Sequence, residues 1–142
     1  MQKLLLLLFV FMTSLTGIAQ NKPAYVLYNA KGKKVSYKKM MQQLATKDLV
    51  LFGEFHNNPI SHWMELTITK ELAQQKPLVL GAEMFEADNQ QALNDYLAGK
   101  LSAKGLDSAA RLWSNYKTDY APLVDFAKEK TPGATANDIG VP

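Results

Sequence analysis

Two apolar runs, Leu49-Val50-Leu51-Phe52 and Leu78-Val79-Leu80-Gly81-Ala82, carry no interleaved polar residues. A strand with water on one face alternates apolar and polar positions, whereas a strand covered on both faces does not, so both runs predict buried strands of a parallel sheet. Between them Asn58 is placed to cap a helix and Pro59 to occupy its first position. Ile60, Met64, Ile68 and Leu72 then repeat every four residues, which predicts an amphipathic helix continuing to Gln75 and stopped by Pro77. Strand, helix and strand in this order predict a right-handed βαβ unit with parallel strands near 49–53 and 78–83.

Upstream, Tyr25-Val26-Leu27-Tyr28 and Lys34-Val35-Ser36 flank Asn29-Ala30-Lys31-Gly32, a hairpin pattern in which Gly32 supplies the positive φ. Ser36 is placed to cap a short helix with Met40, Met41 and Leu44 on its apolar face. From Asp88 to Lys130 the pattern is helical only. Ala92, Leu93, Tyr96 and Leu97 share one face, Ala109, Leu112, Trp113, Tyr116 and Tyr120 mark a second stretch, and a third runs from Pro122 to Lys130. Residues 131–142 are rich in breakers and small side chains and predict an irregular tail. The expected class is therefore α/β: a partial parallel βαβ core with an N-terminal hairpin and an all-helical inserted segment. Two parallel strands leave an open edge, which predicts either further strands or a second subunit, and hence an isolated chain that is either marginally stable or a homo-oligomer.

The first residues add a compartment. Met1-Gln2-Lys3, the apolar run Leu4 to Met12, and Gly17-Ile18-Ala19 form a secretory leader pattern, with cleavage expected after Ala19 and residues 20–130 as the folded domain. The run is shorter than the roughly 20 apolar residues a spanning helix needs. No cysteine follows it, so no lipid anchor is expected at the mature N-terminus, and the chain is placed in the periplasm or outside the cell. Without the leader the chain keeps 15 Lys+Arg against 13 Asp+Glu, a net +2 that gives no argument for nucleic acid. With no cysteine at all, a metal would have to be held by His, Glu, Asp or Tyr.

Candidate chemistry gathers where the strands end, since ligands of open parallel sheets bind outside the carboxyl ends of the strands. Gly53-Glu54-Phe55-His56 closes the first run and Glu83 follows the second. Gly53 would permit a sharp turn or the close approach of a ligand. Glu54 and His56, two apart in extended backbone, project to one side and can act together. With Glu83 they would supply one imidazole and two carboxylates, a donor set suited to zinc, manganese or iron. His62, on the first turn of the next helix, is a further nitrogen if that turn folds back. The helix N-terminus at Asn58 would offer amide groups to an anion such as a carboxylate. Tyr116 and Tyr120 sit on an aromatic stripe that is ordinarily core, although a Tyr phenolate can be an axial iron ligand. Metal-activated water with Glu54 as base would make a hydrolase of the same motif.

Taken together, Gly53-Glu54-Phe55-His56-Asn57-Asn58-Pro59 with His62, then Leu80-Gly81-Ala82-Glu83-Met84-Phe85, then Trp113 through Tyr116 and Tyr120 to Phe126-Ala127, resemble the ChaN-like haem-binding uptake proteins of the Tiki superfamily. The resemblance covers about residues 25–130. It implies an exported protein of iron or haem acquisition, with haem bound near a subunit interface, and a partner in the outer-membrane uptake machinery. It places Glu54, His56 and Glu83 on the motif positions of the family. Members of that family are longer, with a second α/β half carrying another Gly-x-x-His, so the tail after Lys130 reads as a truncation or an altered reading frame.

Overall fold

The computed structural model describes residues 22–130 and 139–140. The leader pattern and most of the tail lie outside them, and no helix among the described residues is long and apolar enough to cross a membrane.

The N-terminal hairpin forms as its sequence dictates. Strand β1 (Leu27–Tyr28) pairs antiparallel with β2 (Lys34–Val35). Gly32 takes φ 68° in the turn, and the Asn29 side chain accepts from the N–H groups of Lys31 and Lys33. Helix α1 (Tyr37–Leu44) starts where the Ser36 hydroxyl accepts the Lys39 N–H, satisfying one donor of the first turn. Helix α2 (Pro59–Ala73) starts at Asn58, with Pro59 at its first position. Met64, Ile68 and Leu72 are buried against Met41 of α1, with Phe52 and Leu78 packed alongside. Ile60, the first member of that predicted stripe, is partly exposed, while His62 and Thr69 are buried on a second side of the helix.

The second apolar run ends in strand β3 (Leu80–Gly81), whose parallel partner is β4 (Ile139–Gly140). This corrects two expectations. Residues 49–53 are not part of a hydrogen-bonded sheet among the described residues, and the tail predicted as irregular supplies the partner of β3 at Ile139–Gly140. The class remains α/β. Burial along both apolar runs alternates as in an extended chain: Val50, Phe52 and Glu54 turn inward, as do Leu78, Leu80 and Ala82. Leu49, Leu51 and Val79 are 74%, 85% and 73% exposed. The runs are thus written for two covered faces and have one covered here, which is why uniform hydrophobicity overstates their burial.

After β3 the chain is helical as expected. A 3-10 turn (Ala87–Asn89) leads into α3 (Gln90–Leu97), followed by α4 (Ala103–Ala109), a π-helical turn (Tyr116–Tyr120) and α5 (Ala121–Lys130). Their apolar faces close a second core around Phe85, Leu93, Leu106, Tyr120 and Val124. The buried Asn89 accepts the Arg111 N–H at 2.9 Å, which ties the start of the helical segment to the loop after α4. Helix α2 lies between the two cores, packing on α1 with one side and on α5 and the π-helical turn with another.

Candidate functional site

The site forms where the loop before α2, the first two turns of α2 and the π-helical turn meet. Glu54 is the centre. Its carboxylate divides its two oxygens: Oε1 accepts from the Tyr120 hydroxyl at 2.7 Å, and Oε2 lies 2.8 Å from His62 Nδ1. His56 approaches from the outer side, with Nδ1 3.5 Å from Glu54 Oε1 and 3.3 Å from the Tyr120 oxygen. The edge-on contact of the His56 ring with Trp113, centroids 4.7 Å apart, holds the imidazole in place although its side chain is 56% exposed.

His62 is the opposite case. Its side chain is 5% exposed, its ring meets Tyr120 edge-on at 4.7 Å, and its Nε2 lies 3.0 Å from the His56 carbonyl oxygen. That carbonyl only accepts, so a ring proton is on Nε2, and in the neutral ring Nδ1 carries the lone pair. The same carbonyl accepts from Asn115, whose side-chain amide also donates to Asp119 at 2.8 Å. Asp119 itself stands 3.7 Å from His62 Nε2. Glu65 completes the cluster, three residues beyond His62 and hence on the same side of α2. Burial, reinforced by the neighbouring Glu54 carboxylate and opposed by His62, pushes the Glu65 carboxyl up to about 7.

The structure therefore assembles part of the expected set and rearranges the rest. Glu54 and His56 act on one side of the loop as their spacing predicts, and the first turn of α2 does fold back to bring in His62. His62 is buried in doing so. Glu83 is exposed, and the second carboxylate beside Glu54 is that of Glu65. Among the described residues the group able to converge on one cation is Glu54, His62 and Glu65, whose ligand atoms lie within 4.8 Å of one another. Tyr116 packs against Phe85 in the second core, and Tyr120 is 1% exposed with its hydroxyl committed to Glu54. Gly53 has no positive φ, and a Cβ there would meet nothing within 4 Å, so neither a turn nor protein packing requires glycine at that position. The amide groups at the start of α2 are spoken for: Ile60 and Ser61 donate to the Asn58 side chain, and Ser61 and His62 to its carbonyl. The expected anion site at that helix end is thus filled by the helix's own cap.

Three polar residues of this cluster, Glu65, Asn115 and Asp119, are absent from the sequence-based set. The His62-to-Glu65 spacing on one helix was a signal for Glu65. Asn115 and Asp119 reach the cluster only because the helical segment folds onto α2 across 59 residues from His56, which no local pattern encodes.

The loop carrying Gly53-x-x-His56 runs directly into the capped start of α2, and this motif and fold define the class of the protein. The profile of the family described as "Haem-binding uptake, Tiki superfamily, ChaN" matches residues 40–139, so the chain belongs to that family. That match runs into the segment read as a tail. Among solved structures the chain is similar to the one titled "Cofacial heme binding to ChaN of Campylobacter jejuni", with 22% identity and a TM-score of 0.60 over 85% of this chain. The chain spans 48% of the length of that relative. No curated protein matches significantly.

Proposed function

We propose that this chain binds haem on the surface around His56 and serves in haem or iron uptake outside the cytoplasm. The observation that carries the reading is the state of His56: a half-exposed imidazole whose Nδ1 is turned toward Tyr120 and Glu54 and whose ring is braced by Trp113. Its remaining nitrogen, Nε2, is the one that would be available to hold the iron of haem, and Phe55 beside it is an exposed aromatic surface for a flat macrocycle. Haem, when bound, would supply a redox-active iron; the protein's contribution would be to fix one imidazole, that of His56, to hold it. Glu54 and Tyr120 set the direction of that imidazole by holding Nδ1. Tyr116 and Tyr120 fit less well as ligands, since both are buried.

Family membership and the leader pattern at Met1 to Ala19 support the extracytoplasmic part of the reading. The bare apolar face along Leu49, Leu51 and Val79 supports the expected homo-oligomer, because a face of that kind is ordinarily covered. The outer-membrane partner rests on the uptake description of the family alone.

Haem titration of the full chain, followed by the Soret band, tests the proposal. His56→Ala is expected to weaken binding by more than the roughly 10–100-fold that loss of an outer partner costs, with the far-UV circular dichroism unchanged because the side chain fills no core volume. Unaltered haem affinity in His56→Ala would remove His56 from the site.

A further inference from the structure

The inner half of the cluster is not used by this reading, and it contains an electrostatic problem. His62 Nε2 carries a ring proton because it faces the His56 carbonyl, so in the neutral imidazole Nδ1 presents a lone pair beside Glu54 Oε2, 2.8 Å away. The two atoms are within ion-pairing distance, yet both are buried and neither has a hydrogen bond of acceptable direction. A proton placed on Nδ1 would not point at Oε2. Two unpaired acceptors held this close repel one another, and a buried acceptor without a partner is destabilising. A cation lying to one side of both lone pairs removes the conflict. Ligand atoms about 2.1 Å from one ion stand roughly 3 Å apart at an octahedral angle and roughly 3.4 Å apart at a tetrahedral one, so a slight opening of this 2.8 Å pair admits the ion.

We infer that Glu54 Oε2, His62 Nδ1 and a carboxylate oxygen of Glu65 form a site for a divalent first-row cation of the zinc or manganese type. One imidazole rules against calcium or magnesium as the preferred occupant, and the absence of thiolate from the chain rules against softer ions. His62 and Glu65 lie three apart on α2, so the helix presents both to the same point, while Glu54 enters from the loop. The outer contacts are those of a ligand shell: the His56 carbonyl fixes the tautomer of His62, and Tyr120 holds the other oxygen of Glu54. This set shares only Glu54 with the trio expected from the sequence, Glu54, His56 and Glu83. It is distinct from the haem surface, since it uses neither the exposed ring of His56 nor the surface around Phe55, and the two share only Glu54, whose other oxygen faces His56.

The test is calorimetric titration of zinc into the untagged full chain after chelation, with thermal melting as a second readout. One zinc per chain is expected, with a raised melting temperature. Glu65→Gln keeps the shape of the side chain and removes its charge; it should weaken zinc by at least about tenfold, and His56→Ala should leave it within a few-fold. His62→Gln should also lose zinc, and circular dichroism separates that loss from unfolding of a buried position. No zinc binding by the wild-type chain, equal binding by Glu65→Gln, or loss in His56→Ala would each overturn the site. A haem titration of the same preparations reads the outer surface separately, so failure of one assignment leaves the other standing.

Discussion

At the scale of single residues, Tyr120 carries more of the arrangement than its place in an aromatic stripe suggests. Its ring fills the second core, and its hydroxyl crosses to Glu54 at 2.7 Å. The stripe reading from sequence holds for the ring and misses the hydroxyl, because helical spacing reports which side of a helix is apolar and says nothing of a carboxylate 66 residues away. Tyr120→Phe separates the two roles. The ring packing stays and Glu54 Oε1 loses its donor in a part-buried setting, which is expected to cost about 1–3 kcal/mol by chemical denaturation. A loss below a few tenths would mean that water replaces the hydroxyl and that Glu54 is not held by Tyr120.

At the scale of elements, α2 is the piece that positions the chemistry, and its start is fixed by side-chain capping. Asn58 accepts from the Ile60 and Ser61 N–H groups, so His62 and Glu65 are set at a defined angle to the loop carrying Glu54. Asn58→Ala removes that acceptor and should lower stability by about 1 kcal/mol, seen as a lower melting temperature. It should weaken zinc as well, since fraying of the first turn moves His62; zinc affinity equal to wild type would show that packing alone places the helix. The two apolar runs teach the limit of pattern reading. Leu49 and Leu51 were expected to be covered on both faces and are bare, because hydrophobicity records what a segment can be packed against and not whether that layer is present in the chain.

At the scale of the whole molecule, the two cores each carry a tyrosine bound to a carboxylate from another element. Tyr37 of α1 donates to Glu71 of α2, and Tyr96 of α3 donates to Asp125 of α5. Burial first, then the hydrogen bond to the carboxylate, pushes both phenols up to about 12. In the unfolded chain they ionise near 10, so the folded state holds its protons longer. The stabilisation is complete below pH about 10 and is lost as pH rises from there through about 12. Melting temperatures measured from pH 9 to 12 should fall over that window, and Tyr96→Phe should flatten the fall; a flat wild-type profile would mean that these phenols titrate alike folded and unfolded.

What the amino-acid sequence determined by itself was local. The hairpin turn at Gly32, the caps at Ser36 and Asn58, the length of α2, the all-helical stretch to Lys130 and the pairing of Glu54 with His56 follow from backbone preference, hydrogen-bond demand and hydrophobic period, each acting within a few residues. Tertiary structure alone decided the partners of those pieces. It selected Ile139–Gly140 as the neighbour of β3, left one face of both apolar runs open, buried His62 while exposing His56, and exchanged Glu83 for Glu65 beside Glu54. Those choices depend on which surfaces pack across long stretches of chain, and the free energy of that packing is a property of the assembled cores that no window of sequence contains.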